Sequence, residues 1–192
     1  MTTAQPTRAT GARGRRTLLL IALVVIAPVA LSYAFYYLFP RDAHVNYGEL
    51  LPIGPVHPVR AVRADGRALA LNDLHGHWTV VMAAPGDCDA ACERMLYATR
   101  QARSMQGKAM DRVERLWLVT GDTLPRPDVL AQHRDLIVAR TGPAEIAALP
   151  RGGDAIYLID PLGNQVLAWP RAPDIKALAQ DLARLLKASR IG

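Results

Sequence analysis

Residues 18–39 run for 22 positions without a charge, and nowhere else does the chain leave its backbone so little choice. Lipid offers no water to satisfy N–H and C=O groups, so such a segment crosses a bilayer as a helix. At 1.5 Å per residue it reaches about 33 Å, against about 30 Å of hydrocarbon. Pro28 lies mid-run, which membrane helices tolerate. Arg8, Arg13, Arg15 and Arg16 precede the run with no acidic residue among them, and Tyr33, Phe35, Tyr36, Tyr37 and Phe39 form an aromatic belt at its far end. The positive-inside rule then places the N-terminus in the cytoplasm and everything after Pro40 outside. A cleaved signal peptide would have a shorter apolar core ending in small residues; this run ends in bulky aromatics, which favours a retained anchor. The style of the N-terminus points to a bacterial source, so the expected location is the bacterial inner membrane, single-pass, with the C-terminal part in the periplasm.

The sequence therefore predicts a cytoplasmic tail over residues 1–17, a transmembrane helix over 18–39, a tether over 40–58 rich in Pro and Gly, and a folded domain over 59–192. The formal net charge of +6 follows largely from the anchor's flank: beyond residue 40 there are 19 basic and 17 acidic residues. That balance is no nucleic-acid footprint, and no zinc-finger, helix-turn-helix or ribonucleoprotein motif accompanies it.

Within the domain, Trp78-Thr79-Val80-Val81-Met82-Ala83-Ala84 is an apolar run of strand length, stopped by Pro85-Gly86-Asp87. Cys88 and Cys92, the only cysteines, follow at once. Cys92, Met95, Leu96, Thr99 and Ala102 then recur at the spacing of one buried helix face, with Gly107 as the stop. Residues 113–120 give a second buried strand and close a β-α-β unit. Residues 59–63 and 68–71 flank an Asp65-Gly66 turn as a hairpin, and residues 155–160 and 165–169 form another. Residues 127–133 and 143–149 read as short helices, 136–139 as a short strand. Pro173 opens a last helix with the stripe Ile175, Leu178, Leu182, Leu185 and Leu186. This order spells an α/β, thioredoxin-like fold.

The two cysteines sit where open α/β sheets place their chemistry, at the C-terminal end of a strand and the start of a helix. The helix dipole favours a thiolate there, while Asp87 and Asp89 oppose it. Three readings stand: a redox pair that exchanges thiols with a partner, a soft Cu(I) site made of two thiolates, and a structural disulfide closing a short loop.

The stretch Leu74-His75-Gly76-His77-Trp78-Thr79-Val80-Val81, then Cys88-x-x-x-Cys92, then Ile156-Tyr157-Leu158-Ile159-Asp160-Pro161-Leu162-Gly163-Asn164, resembles the Sco family of membrane-anchored thioredoxin-like proteins. These help assemble the copper A centre of cytochrome c oxidase, as copper carriers or thiol reductants. The resemblance covers residues 71–192 and includes the anchor. It implies a function in oxidase maturation through Cys88 and Cys92, a thiol-disulfide oxidoreductase activity, Cu(I) as the ion that both sulfurs would ligate, and a respiratory oxidase subunit or its assembly factors as partner. Two positions depart from the family. Glu93 stands where the family has proline after its second cysteine, and Gly152, five residues before Tyr157, stands where it has the histidine ligand. His75, His77 and His133 fall at the sheet edge opposite Cys88 and read as surface residues, while His44 and His57 lie on the tether. Met82, Met95, Trp78, Trp117 and Trp169 read as core. These departures favour thiol exchange, in which Cys88, as the more exposed sulfur, attacks and Cys92 resolves, over copper carriage. The rival from a different class is an assembly scaffold whose chemistry has decayed.

Overall fold

The computed structural model describes residues 11–38, 46–189 and 191; Arg8, Phe39, Arg41 and His44 lie outside them. The chain divides into two units, Met1–His44 and Val45–Gly192. In the first, α1 (Gly11–Leu38) carries Pro28 inside it, and Gly14–Leu38 is long and apolar enough to cross a membrane. Tyr33 stacks on Tyr37 with ring centroids 6.2 Å apart.

The second unit is built on an eight-stranded sheet. Its strands are β1 (Glu49–Pro55), β2 (Arg60–Arg63), β3 (Ala68–Ala70), β4 (Trp78–Pro85), β5 (Val113–Thr120), β6 (Leu136–Thr141), β7 (Ala155–Ile159) and β8 (Asn164–Pro170), in the order β1-β8-β7-β4-β5-β6-β2-β3. β4, β5 and β6 run parallel, with Trp78 opposite Val113 and Pro85 opposite Thr120; the remaining pairs are antiparallel. Trp78 to Ala84 are all buried, as a strand covered on both faces requires. Between β4 and β5 runs α2 (Ala90–Ser104), and the chain closes with α5 (Ile175–Ala188); the short α3 (Pro127–Gln132) and α4 (Pro143–Ala147) flank β6.

Alternation along β4 and β5 sorts the core into two layers. Val80, Met82, Ala84, Trp117 and Val119 pack with Cys92, Met95 and Leu96 of α2 and with Leu178 and Leu182 of α5. Val81, Ala83, Leu116 and Leu118 pack on the other face with Leu71, Leu74, Ile146 and Leu149. Each large apolar side chain so buried contributes about 1.5–3 kcal/mol. The expected stripe of α2 is buried as a set, and Trp78, Trp117, Trp169, Met82 and Met95 are core.

The Asp65-Gly66 hairpin forms as expected, with Gly66 at φ 81 and Arg63 N donating to Arg67 O at 2.9 Å. Three details differ from the sequence reading. The sheet starts at Glu49 rather than Val59, because the proline-rich segment read as tether supplies an edge strand whose register shifts between Leu50 and Gly54; an edge strand tolerates proline where a central one does not. α2 ends at Ser104, and Gly107, at φ 57, begins a 3-10 segment instead of capping it. Pro173 precedes the N-cap of α5, which is Asp174, its side chain accepting from Ala177 N.

Candidate functional site

Cys88 and Cys92 are joined in a disulfide, S–S 1.99 Å and Cα–Cα 5.1 Å. β4 delivers the chain to the end of the sheet, and Cys88 N donates to Pro85 O at 3.2 Å, closing the turn. Asp89, not Cys88, caps α2: its carboxylate accepts from Cys92 N at 2.8 Å. Asp89 thus spends its charge on the helix N-terminus. Cys88 precedes the cap with φ 42, the one non-glycine residue at positive φ among those described. The three-residue spacing holds Cys88 in a left-handed conformation that costs an L-residue about 1–2 kcal/mol.

Both sulfur-bearing residues are buried, Cys88 at 0% and Cys92 at 1% exposure. This corrects the expectation that Cys88 sits open at the rim. The segment from β5 to α3 lies against its turn. Thr123 Oγ1 accepts from Gly86 N at 2.9 Å and Asp87 N at 3.3 Å. Arg126 Nη1 donates to Cys88 O at 3.4 Å and to Glu93 Oε1 at 2.8 Å, and its guanidinium also pairs with Asp128. Arg126 holds the Asp128 carboxyl below its usual range, the hydrogen bond being the largest cause. Sequence reasoning missed Thr123 and Arg126 because they lie 37 and 33 residues from the groups they hold. The one signal was Glu93, the unexpected residue after Cys92, which is Arg126's partner.

His133 also departs from expectation. It stands toward the opposite end of the sheet from Cys88, as read, but at 6% exposure it is buried. Its Nδ1 has no hydrogen-bond partner among the described residues. Burial, then the charges of Arg115 and Arg100, push it down to about 4. Arg115 itself is buried, its pKa lowered to about 10 by that burial. It donates to Leu96 O at 2.8 Å and Thr99 Oγ1 at 3.1 Å and pairs with Asp135 at 3.3 Å, bracing α2 from behind. His57, His75 and His77 are exposed, with His77 3.8 Å from Glu114.

β7 runs antiparallel to β4 with Ile156 opposite Met82, so the turn ahead of β7 lies at the same sheet end as the disulfide. Gly152 is in that turn, at φ 54, its carbonyl accepting from Tyr157 Oη at 2.9 Å. The place where a nitrogen ligand would project is therefore filled by a residue without a side chain. In this oxidised form the sulfurs are bonded to each other, and among the described residues no group of three His, Cys, Asp or Glu could hold a metal. The expected Cu(I) ligation by Cys88 and Cys92 alone belongs to the reduced dithiol.

Residues 78–189 match the model of a family described as transmembrane-like, thioredoxin-like, C-terminal domain, and residues 10–38 match its transmembrane-like, N-terminal domain. The chain belongs to this transmembrane-like, thioredoxin-like family. No curated protein matches its sequence. Among solved structures it is similar to Arabidopsis thaliana ScoI with copper bound, at 18% identity and TM-score 0.59 over 71% of this chain and 100% of that one. Bradyrhizobium japonicum ScoI with copper bound is 21% identical, TM-score 0.54, over 68% and 99%. Yeast Sco1 with copper bound is 16% identical, TM-score 0.60, over 70% and 94%. The resemblance to Sco proteins thus holds in the fold, across a wide divergence in sequence.

Proposed function

We propose that this transmembrane-like, thioredoxin-like protein is anchored in the bacterial inner membrane with its thioredoxin-like unit in the periplasm, and that it supports cytochrome c oxidase maturation by thiol–disulfide exchange at Cys88 and Cys92. The observation that carries the reading is the Cys88–Cys92 disulfide, which joins the turn after β4 to the first turn of α2. The reduced form acts as follows. The Cys88 thiolate attacks a disulfide of the partner and displaces one of its sulfurs as a thiolate. The Cys92 thiol, losing its proton, then attacks Cys88 in the mixed disulfide and releases the second. Two electrons pass to the partner, whose dithiol gains the protons, and the protein is left in the oxidised state described here. Because both residues are buried in that state, regeneration requires the turn around Cys88 to open.

That burial favours a second reading, an assembly scaffold in which the disulfide only fastens a turn. Replacing both cysteines by serine separates the two. Cells carrying Cys88→Ser/Cys92→Ser in place of the native chain are expected to lose most cytochrome c oxidase activity; unchanged activity with normal protein levels would establish the scaffold. Reduction would expose two soft thiolates of the kind Cu(I) favours. Anaerobic Cu(I) titration of the reduced chain against a competing chelator tests carriage, which uptake below one ion per dithiol would rule out.

A further inference from the structure

A groove of about 350 Å³ runs along the outer face of α2 against α3, and it begins beside the disulfide: Ala90, between the two cysteines, lines one end and Arg100 and His133 the other. Ten residues of helix make it about 15 Å long, room for about four residues of extended chain. Arg94, on its wall, is exposed and has no hydrogen bond or ion pair among the described residues. Arg100 lies over the ring of Tyr97, 5.6 Å from its centroid, and Tyr97 is 48% exposed. Glu93, the acidic residue in the lining, is already paired with Arg126. His133, burial having lowered it to about 4, is neutral at physiological pH. The groove therefore offers the unpaired charge of Arg94 beside an open aromatic face, backed by Arg100, whose Nη1 donates to Gln132 O at 2.6 Å. On the segment packed against Gly86, Leu124 stands 71% exposed, an apolar handle at the turn that carries Cys88.

We propose that this groove docks the exchange partner through a segment in which acidic residues alternate with apolar ones, the carboxylates meeting Arg94 and Arg100 and the apolar side chains meeting Tyr97 and Leu124. The assignment rests on the exchange reading above, and charge complementarity selects the occupant. Contact with Leu124 would also shift the segment packed on the turn of Cys88, coupling docking to access to the sulfurs.

The test uses the full oxidised chain in a non-ionic detergent. Three dithiol peptides share the core Cys-Gly-Gly-Cys and differ in flanks built on Glu-Leu-Glu-Glu, Gln-Leu-Gln-Gln or Lys-Leu-Lys-Lys. Each reduction rate is divided by that peptide's rate with hydroxyethyl disulfide, a neutral small molecule, to cancel intrinsic thiol reactivity. At low salt the acidic peptide is expected to react about five-fold faster than the basic one, as one or two exposed charge pairs would give. Arg94→Glu is expected to bring that ratio to about one or below while leaving the rate with dithiothreitol unchanged. A ratio near one in the native protein, with dithiothreitol still reducing the disulfide, overturns the groove and leaves the exchange reading standing. If no reductant opens the disulfide in the folded chain, the exchange reading falls. Anisotropy with a labelled, cysteine-free acidic peptide then decides the groove: binding by Arg94→Glu equal to the native protein overturns it, as does full displacement of the peptide by millimolar inorganic phosphate.

Discussion

Cys88 pays for its place with a left-handed backbone at φ 42, and the groups that hold it there, Thr123 and Arg126, act on its turn and its carbonyl rather than on its sulfur. At this scale the sequence pointed to the two cysteines that the structure joins but not to how they are held, because Arg126 and Thr123 come from a loop far along the chain. His133 is the clearest misreading. A histidine just before a strand looks like a surface residue, yet here it caps α3 and turns inward beside Arg115 and Arg100. Its native pKa lies near 4, below about 6.5 for an unfolded histidine. As pH falls from 7, the unfolded chain takes up a proton that the native one refuses, so stability is full above about pH 7 and is lost down to about pH 4. The loss attributable to this residue is on the order of 2–3 kcal/mol at the acid end. Thermal melts of the native chain and His133→Gln at pH 7 and pH 4.5 check it: the variant is expected to lose several degrees less between the two.

Among the elements, those buried on both faces were legible, and of the two sheet edges only β3, announced by the Asp65-Gly66 turn, was. β4, β5 and the stripe of α2 declare themselves by unbroken apolar runs and helical spacing, since the sheet's centre and the helix beneath it each demand one pattern. β1 does not, because Pro52, Gly54 and Pro55 read as linker until an edge and a register shift make room for them. The β5–α3 connection was equally silent, and it is the element that packs on the turn of Cys88. Gly86 shows how closely it lies: a Cβ there would come within 2.2 Å of Thr123 O, a backbone atom. Gly86→Ala is therefore expected to push the connection off Cys88, lowering stability by about 2–3 kcal/mol. It should also speed reduction by dithiothreitol at least several-fold under native conditions. An unchanged reduction rate in a folded variant would show that some other part of the chain guards the sulfurs.

At the scale of the thioredoxin-like unit, distant segments are tied together by buried polar groups. Asp181, 1% exposed, accepts from Tyr47 N at 3.1 Å, Gly48 N at 2.8 Å and Trp169 Nε1 at 2.9 Å, fastening the start of the unit to α5 and β8. A Cβ on Gly48 would lie 2.6 Å from Trp169 Nε1, so the chain can enter there only as glycine with its neighbours in place. Arg115 with Asp135 and Thr99 braces α2 from below. Against that fixed frame the disulfide is either a working redox couple behind a movable cover or an inert fastening, and its equilibrium potential distinguishes them. A redox titration of the full chain in detergent against glutathione or dithiothreitol buffers, read by thiol alkylation, is expected to give a potential above about −300 mV, within reach of exchange partners. A value well below about −300 mV, the range of structural disulfides, would contradict exchange at Cys88 and Cys92.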